Sequence, residues 1–253
     1  MNEQEYRAFK ACNWSSIKLA LTSGLAYQHG LSNPVKPTPA MRFGTELHAA
    51  VLEPATWQPV TVPAEFLTAS GARSTKKEAG EWFASNPDAL TEAEVANIRD
   101  CASMVGFHVE AKAALIACPN REQPIFWTDQ QTGLECKAKP DAYGRYLLDV
   151  KTTSCDWTMR GFANEILNRR YHGQLAFYAE GLAANGVHVD RCGLIMVQNS
   201  APWDVALVWL GDDWLQAGAG LVRKALAEVQ LCQDIGATGA FPAAVELELP
   251  KWA

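Results

Sequence analysis

The sequence predicts an α/β fold in which a mainly helical N-terminal part leads into a core of strands and helices. Three observations predict it. Helix-like patterns fill much of residues 3–117 and stop at Pro119. Strand-like stretches marked off by turn glycines occupy 122–153. Beyond them come helices, two strands and a long last helix, an order that suits a sheet covered by helices.

Taken in order, residues 3–11 and 15–28 read as helices, the second opening on the cap-like Ser15 and Ser16 and closing near Gly30. LSNPVKPTP, 31–39, holds three prolines and reads as a loop. AMRFGTELHAAVLEP reads as a helix stopped by Pro54, and PVTVP as a short strand before the polar TASGARSTKK. Helical patterns return at 75–85 and 91–117. EQPIFWT, TGLECKAKPDAY and YLLDVKTT read as three successive strands, turning at Gly133 and Gly144. Helices are expected at 157–168 and 171–185, strands at RCGLIMVQNS and WDVALVWL, and a last helix over GDDWLQAGAGLVRKALAEVQLCQ. The expected organisation is one domain over 1–253, with a helical part to 118, an α/β core over 119–235 and a tail from 236.

A chain of 253 residues, 48% hydrophobic and 20% charged, is globular and can bury a sizeable core. No apolar run approaches the ~18 residues of a membrane span. The polar start MNEQEYRAFKACNWSS does not resemble a secretory signal, so a cytoplasmic protein is expected. Seven cysteines at 12, 101, 118, 136, 155, 192 and 232 form no C-x-x-C pair, which indicates neither a zinc ribbon nor a disulfide framework. The formal charge of −6 argues against a general polyanion binder, but local basic groups count for more than the sum. Those groups are Arg73, Lys76 and Lys77; Lys137 and Lys139; Arg169 and Arg170; Arg223 and Lys224. Each group alone also suits an ordinary solvated face.

The chemistry concentrates in KPDAYGRYLLDVKTT, 139–153. Side chains alternate across a strand, so Leu148 and Val150 can enter a core while Asp149 and Lys151 share the other face. A three-residue loop centred on Arg145 sets Asp141 opposite Asp149, whereas a two-residue loop throws them onto opposite faces. The odd-length loop is the expectation. Two carboxylates there could hold a hard divalent cation such as Mg2+ or Mn2+, and the lysine could orient or deprotonate a water. The bland alternative is a surface hairpin with an Asp–Lys ion pair. By strand parity Glu135, Lys137 and Lys139 share the face of Asp141. Glu135 could face the cleft or pair with a lysine, and Lys137 and Lys139 could meet phosphate. Thr152 and Thr153 could contact DNA or simply favour the strand.

Pro140-Asp141 followed by Asp149-Val150-Lys151 resembles the signature of the PD-(D/E)XK nuclease superfamily. ECKAKPDAYGRYLLDVKTT followed by YHGQLAFYAEGL is similar to the nuclease domain of the RecE (exodeoxyribonuclease VIII) group. FGTELHAAVLEP resembles that group's Gly-Thr-x-Leu-His helix, and NWSSIKLALTSGLAYQHG its N-terminal helix. The resemblance implies a restriction-endonuclease-like core, a central mixed sheet flanked by helices. It makes Asp141 and Asp149 metal ligands, with the Val150 carbonyl as a further ligand and Lys151 as the water-activating lysine. His48 becomes an added ligand or orienting group, and Gln174 and Tyr178 match a Gln-x-x-x-Tyr element beside the site. Gln174 and Tyr178 could instead border the core. His172 in the same element joins the DNA-contact candidates.

The resemblance further implies Mg2+-dependent, 5′→3′ exonuclease action on linear double-stranded DNA, in phage recombination with a separately encoded annealing protein. It also implies a ring-shaped trimer or tetramer around the DNA. No iron–sulfur cluster is expected, because the spaced cysteines that hold one in some related enzymes are missing. No nucleotide cofactor is expected without a G-x-x-x-x-G-K-[ST] loop. Two alternatives remain: a structure-specific or single-strand endonuclease with the same site, and a catalytically silent DNA-binding module.

Overall fold

Several helix starts in this chain follow a capping side chain. The computed structural model describes residues 3–241, 243 and 244, so the expected tail lies mostly outside the described residues. Helix α1 (Glu3–Ala8) is followed by α2 (Trp14–Ile17) and α3 (Gly24–Ser32). The single helix expected over 15–28 is thus two. Asn13 caps α2 by accepting from the Ser16 N–H at 3.1 Å, and Ser23 starts α3 by accepting from Ala26 at 3.0 Å. Helix α4 (Pro39–Leu52) has its proline in the first turn and Thr38 as cap. PVTVP forms only an isolated bridge, Thr61 to Leu90.

Helices α5 (Lys77–Ser85), α6 (Glu92–Phe107) and α7 (Val109–Ile116) come next. The continuous helix expected over 91–117 breaks at His108, whose Nδ1 accepts from the Ala111 N–H at 3.1 Å and so caps a new start.

The core follows as β1 (Asn120–Arg121), β2 (Ile125–Thr128), β3 (Glu135–Ala138), β4 (Ala142–Tyr143) and β5 (Tyr146–Thr153). After these come α8 (Met159–Arg169), α9 (Tyr171–Ala184), β6 (Arg191–Gln198), β7 (Val205–Leu210) and α10 (Asp212–Ile235). The central sheet runs β1-β4-β5-β6-β7, with β5 and β6 parallel and the other pairs antiparallel. The parallel pair needs the long crossover that α8 and α9 supply. Strands β2 and β3 form a separate two-stranded sheet.

The three-strand meander is therefore corrected. The stretch 132–143 is not one strand: it breaks around Pro140, and its halves join different sheets. Proline gives a ladder no N–H, which favours such a break.

Alternation along β5 splits the core into two layers. Leu148 and Val150 pack with Ile195 and Val197 against residues of α4, α6 and α7. Leu147 packs with Leu194 and Met196 against residues of α8, α9 and α10. Asp149 and Lys151 share the parity of Leu147 and face the α9 side. Among the described residues no helix is long and apolar enough to cross a membrane.

Candidate active site

The β4–β5 register pairs Ala142 with Leu148 and Tyr143 with Leu147, so the hairpin centres on Arg145 as the odd-length loop requires. Gly144 makes this turn possible because a Cβ there would lie 2.8 Å from the Ala117 carbonyl oxygen and 2.6 Å from Pro119. Continuing the register sets Asp141 opposite Asp149 and Pro140 opposite Val150.

That second pairing explains how the site is built. Gly144 donates to Tyr146 at 3.0 Å, so every second pair from there on is a hydrogen-bonded one, and 140 with 150 is among them. Proline cannot donate to the Val150 carbonyl. The His48 ring from α4 fills that place, with Nε2 at 2.6 Å from Val150 O. The Asp141 side chain takes the Val150 N–H, with Oδ2 at 2.7 Å. A carbonyl only accepts, so His48 carries its proton on Nε2. Its Nδ1 then presents a lone pair toward Asp141, 3.4 Å from Oδ2.

Glu122 joins this group. The β1–β4 register pairs Arg121 with Ala142, and one more step brings Glu122 opposite Asp141. Ligand atoms of His48, Glu122 and Asp141 all lie within 4.8 Å of one another. Glu122 also pairs with Lys139 at 2.8 Å.

Across the site, Asp149 is 1% exposed and forms an ion pair through Oδ2 with Lys151. Its Oδ1 accepts from Gln174 Nε2 at 2.9 Å, and the same nitrogen lies 2.9 Å from the Tyr178 hydroxyl. The Lys151 ammonium also lies 5.0 Å from the centre of the Tyr171 ring.

The charges are out of balance. Burial first, then the Asp149 carboxylate, pushes Asp141 up to about 8. Burial and the nearby Asp141 raise Glu122. Burial and Lys151 lower His48, which favours the neutral ring. Burial alone would lower Lys151, but Asp149 and Asp141 outweigh it and the lysine is raised. Carboxylates gathered beside one another, with Asp141 raised by burial and by Asp149, fit a hard divalent cation. His48, Glu122 and Asp141 supply the tightest donor set, with Asp149 beside them.

A cleft of about 500 Å³ opens on the Lys151 side and is lined by Tyr6, Trp14, Lys18, Lys139, Tyr171 and Gln174 among others. A second cavity of about 330 Å³ opens on the His48 side, and Lys139 borders both. Arg7, Lys18, Lys137, Lys139 and Lys151 border the first cleft, so its wall is rich in positive charge, and burial first, then Lys151, lowers Lys18.

The structure brings Asp141, Asp149, Lys151, His48, Gln174 and Tyr178 together. The Val150 carbonyl lies at the site and accepts from His48, which leaves its second lone pair for another partner. Glu135 is exposed on β3 and accepts from the Thr128 hydroxyl at 2.7 Å, because the broken strand ends the parity that linked it to Asp141. Lys137 is buried, and its ammonium donates to the carbonyls of Tyr6 and Phe9 at 2.6 Å each. His172 is buried too, with Nδ1 at 3.3 Å from the Ile166 carbonyl and its ring edge-on to Trp214. Thr153 is buried and accepts from Cys155 at 3.0 Å, while Thr152 is half-buried.

Arg73, Lys76 and Lys77 line neither cavity. Arg73 binds the Ala89 carbonyl and pairs with Glu94 at 3.6 Å, and Lys77 pairs with Glu81 at 3.9 Å. Arg169 pairs with Glu165 at 3.3 Å, and Arg170 donates to the Lys18 carbonyl at 2.8 Å. Glu122 and Tyr171 were not among the residues picked out from the sequence. Tyr171 lies in the quoted Tyr-His-x-Gln element, whereas Glu122 had no signal without the β1–β4 pairing.

A family described as "PDDEXK-like domain of unknown function (DUF3799)" matches residues 7–241. The chain belongs to that family. Its place is thereby in the PD-(D/E)XK nuclease superfamily, whose central mixed sheet flanked by helices it shares. A crystal structure from Eubacterium rectale named "Putative exonuclease" superposes with a TM-score of 0.66 at 13% identity, covering 94% of this chain and 89% of that one. At that identity the likeness shows the fold. A second structure, SSO0001, covers 90% of this chain and 89% of its own at 14% identity, with a TM-score of 0.33 that carries no argument. None of the curated proteins matches the chain.

Proposed function

We propose that the protein is a Mg2+-dependent exonuclease that hydrolyses phosphodiester bonds of linear double-stranded DNA. The observation that carries the reading is the single constellation of Asp141, Asp149 and Lys151 with His48 and Glu122 at the open edge of β5. A silent binding module has no use for buried carboxylates set side by side, where burial and Asp149 push Asp141 up to about 8. The positive wall around Lys18 and Lys151 suits a phosphate backbone.

Asp141, Glu122, Asp149 and His48 would hold a divalent cation such as Mg2+, which when bound would supply Lewis-acid polarisation of the phosphoryl group and acidify water. The chain's own residues do the rest. In this charge environment Lys151 is an ammonium, so it donates a hydrogen bond and stabilises negative charge on the phosphate. Asp149 holds that ammonium, and Gln174 fixes the Asp149 carboxylate. His48 ties α4 to the strand edge.

Action from the 5′ end, a 3′ single strand left for a separately encoded annealing protein, and a ring-shaped trimer or tetramer belong to the same proposal. They rest on the resemblance to the RecE group, as do a phage or prophage origin and a cytoplasmic setting. The name carried by the Eubacterium rectale structure agrees with exonuclease action. The test is digestion of end-labelled linear duplex and of covalently closed circles, with Mg2+ and without, by wild type and Lys151→Ala. Release of nucleotides from linear DNA alone, abolished in Lys151→Ala, is expected. Cleavage of closed circles would favour an endonuclease instead.

A further inference from the structure

We propose that Tyr171 is a positioning residue for Lys151, holding the lysine ammonium with its ring face while Asp149 holds it by charge. The inference rests on Lys151 as the residue that acts on the phosphate, and it assigns a role to the cleft wall facing it. A lysine ends a flexible four-carbon stem, and one ion pair does not fix the direction of its N–H bonds. The Tyr171 ring centre is 5.0 Å from Lys151 Nζ, inside the ~6 Å reach of a cation–π contact.

Helix α9 is built to hold both members of the ion pair. Tyr171 and Gln174 are three residues apart and Tyr178 four further on, so all three share one helix face. From that face Gln174 fixes the carboxylate of Asp149, and Tyr171 meets the ammonium of Lys151. The Gln174 amide is itself held at the Tyr178 hydroxyl.

The start of α9 cannot drift. Arg170 turns the chain from α8 into α9 with φ 59°, and its guanidinium donates to the Lys18 carbonyl at 2.8 Å. Three residues on, Gly173 packs so tightly on Trp14 that a Cβ would lie 2.3 Å from its ring. A fixed ring face against an ammonium on a long stem is the arrangement expected of a positioning contact. The Tyr171 hydroxyl has no part in it.

The test uses the full chain with Mg2+ and end-labelled linear duplex, comparing Tyr171→Phe, Tyr171→Leu and 3,4,5-trifluorophenylalanine at 171. Fluorination weakens the negative ring face and keeps the shape, so that variant still reports if leucine disturbs folding. Leucine and the fluorinated ring are expected to lower kcat by about two- to thirty-fold with KM nearly unchanged, while phenylalanine retains most of kcat. Loss in phenylalanine equal to that in leucine, or loss confined to KM, would overturn the proposal. A second reading needs no nuclease activity: acetylation of Lys151 in metal-free protein, followed by peptide mass spectrometry. Lys151 is expected to react slowly in wild type and Tyr171→Phe and faster in the other two. Equal rates in all four overturn the role of Tyr171. A wild type that degrades no DNA with any divalent metal overturns the nuclease reading instead, and the acetylation rates still decide the Tyr171 contact.

Discussion

The Nε2 of His48 lies 2.6 Å from the carbonyl oxygen of Val150, a residue more than a hundred positions along the chain. This contact fixes the tautomer, and it leaves Nδ1 free to face Asp141 and Glu122. Metal-binding imidazoles are commonly oriented in this way by a carbonyl on the far nitrogen, and losing such a contact typically costs ten- to a hundred-fold in metal affinity.

His48→Ala is therefore expected to weaken Mg2+ or Mn2+ binding by at least about ten-fold, measured by calorimetry without DNA. An unchanged affinity would reduce His48 to a brace between α4 and β5.

Asp141 gives a pH signature to the metal-free protein. Its carboxyl is raised to about 8 by burial and by Asp149, against about 3.9 in an unfolded chain. Between those values the folded state holds a proton that the unfolded state has lost, so stability falls as pH rises from about 4 to about 8. Melting temperature without metal should decline across that window, and less steeply in Asp141→Asn. Mg2+ should restore the loss at pH 8, because a ligand bound only by the folded state stabilises it. Equal pH slopes in wild type and Asp141→Asn would remove Asp141 as the cause.

Glu122→Gln separates a ligand from a mere partner of Lys139. Glutamine can still accept from the lysine at the 2.8 Å contact but contributes no charge. As a ligand, Glu122 is expected to take metal affinity down with it, by about ten-fold or more, while melting temperature without metal holds or rises as a crowded carboxylate is removed. Unchanged metal binding would confine the cation to His48, Asp141 and Asp149.

These residues differ in how legible they were. Strand parity left two loop lengths open at the hairpin, and the chemistry of two carboxylates and an ammonium on one face selected the odd-length loop centred on Arg145, the register that β4 and β5 adopt. Parity failed one element earlier, at Glu135 and Lys137, since it holds only within an unbroken strand and Pro140 ends that strand. Glu122 depends on β1 pairing with β4 across an intervening hairpin, a long-range register that no local pattern carries. His172 shares a helix with Gln174, but two residues apart on a helix means different faces, and its own turns under α10, where Gly218 lies against its carbonyl.

Lys137 gives the sharpest test of burial against composition. Beside Lys139 it reads as a phosphate contact, yet its ammonium is spent on the carbonyls of Tyr6 and Phe9 near the end of α1, over the Tyr6 ring at 4.6 Å. Cations are favoured at helix C-termini, where carbonyls lack intrahelical partners. Lys137→Met should then destabilise the protein by about 1.5–3 kcal/mol, the range for hydrogen bonds to a charged group, measured by urea unfolding. DNA affinity should keep its salt dependence, because no phosphate contact is lost. A lysine that met phosphate would instead lower the slope of log affinity against log salt by about one when removed. Lys18→Met, from the positively charged cleft wall, is the matched control in which that fall in slope is expected.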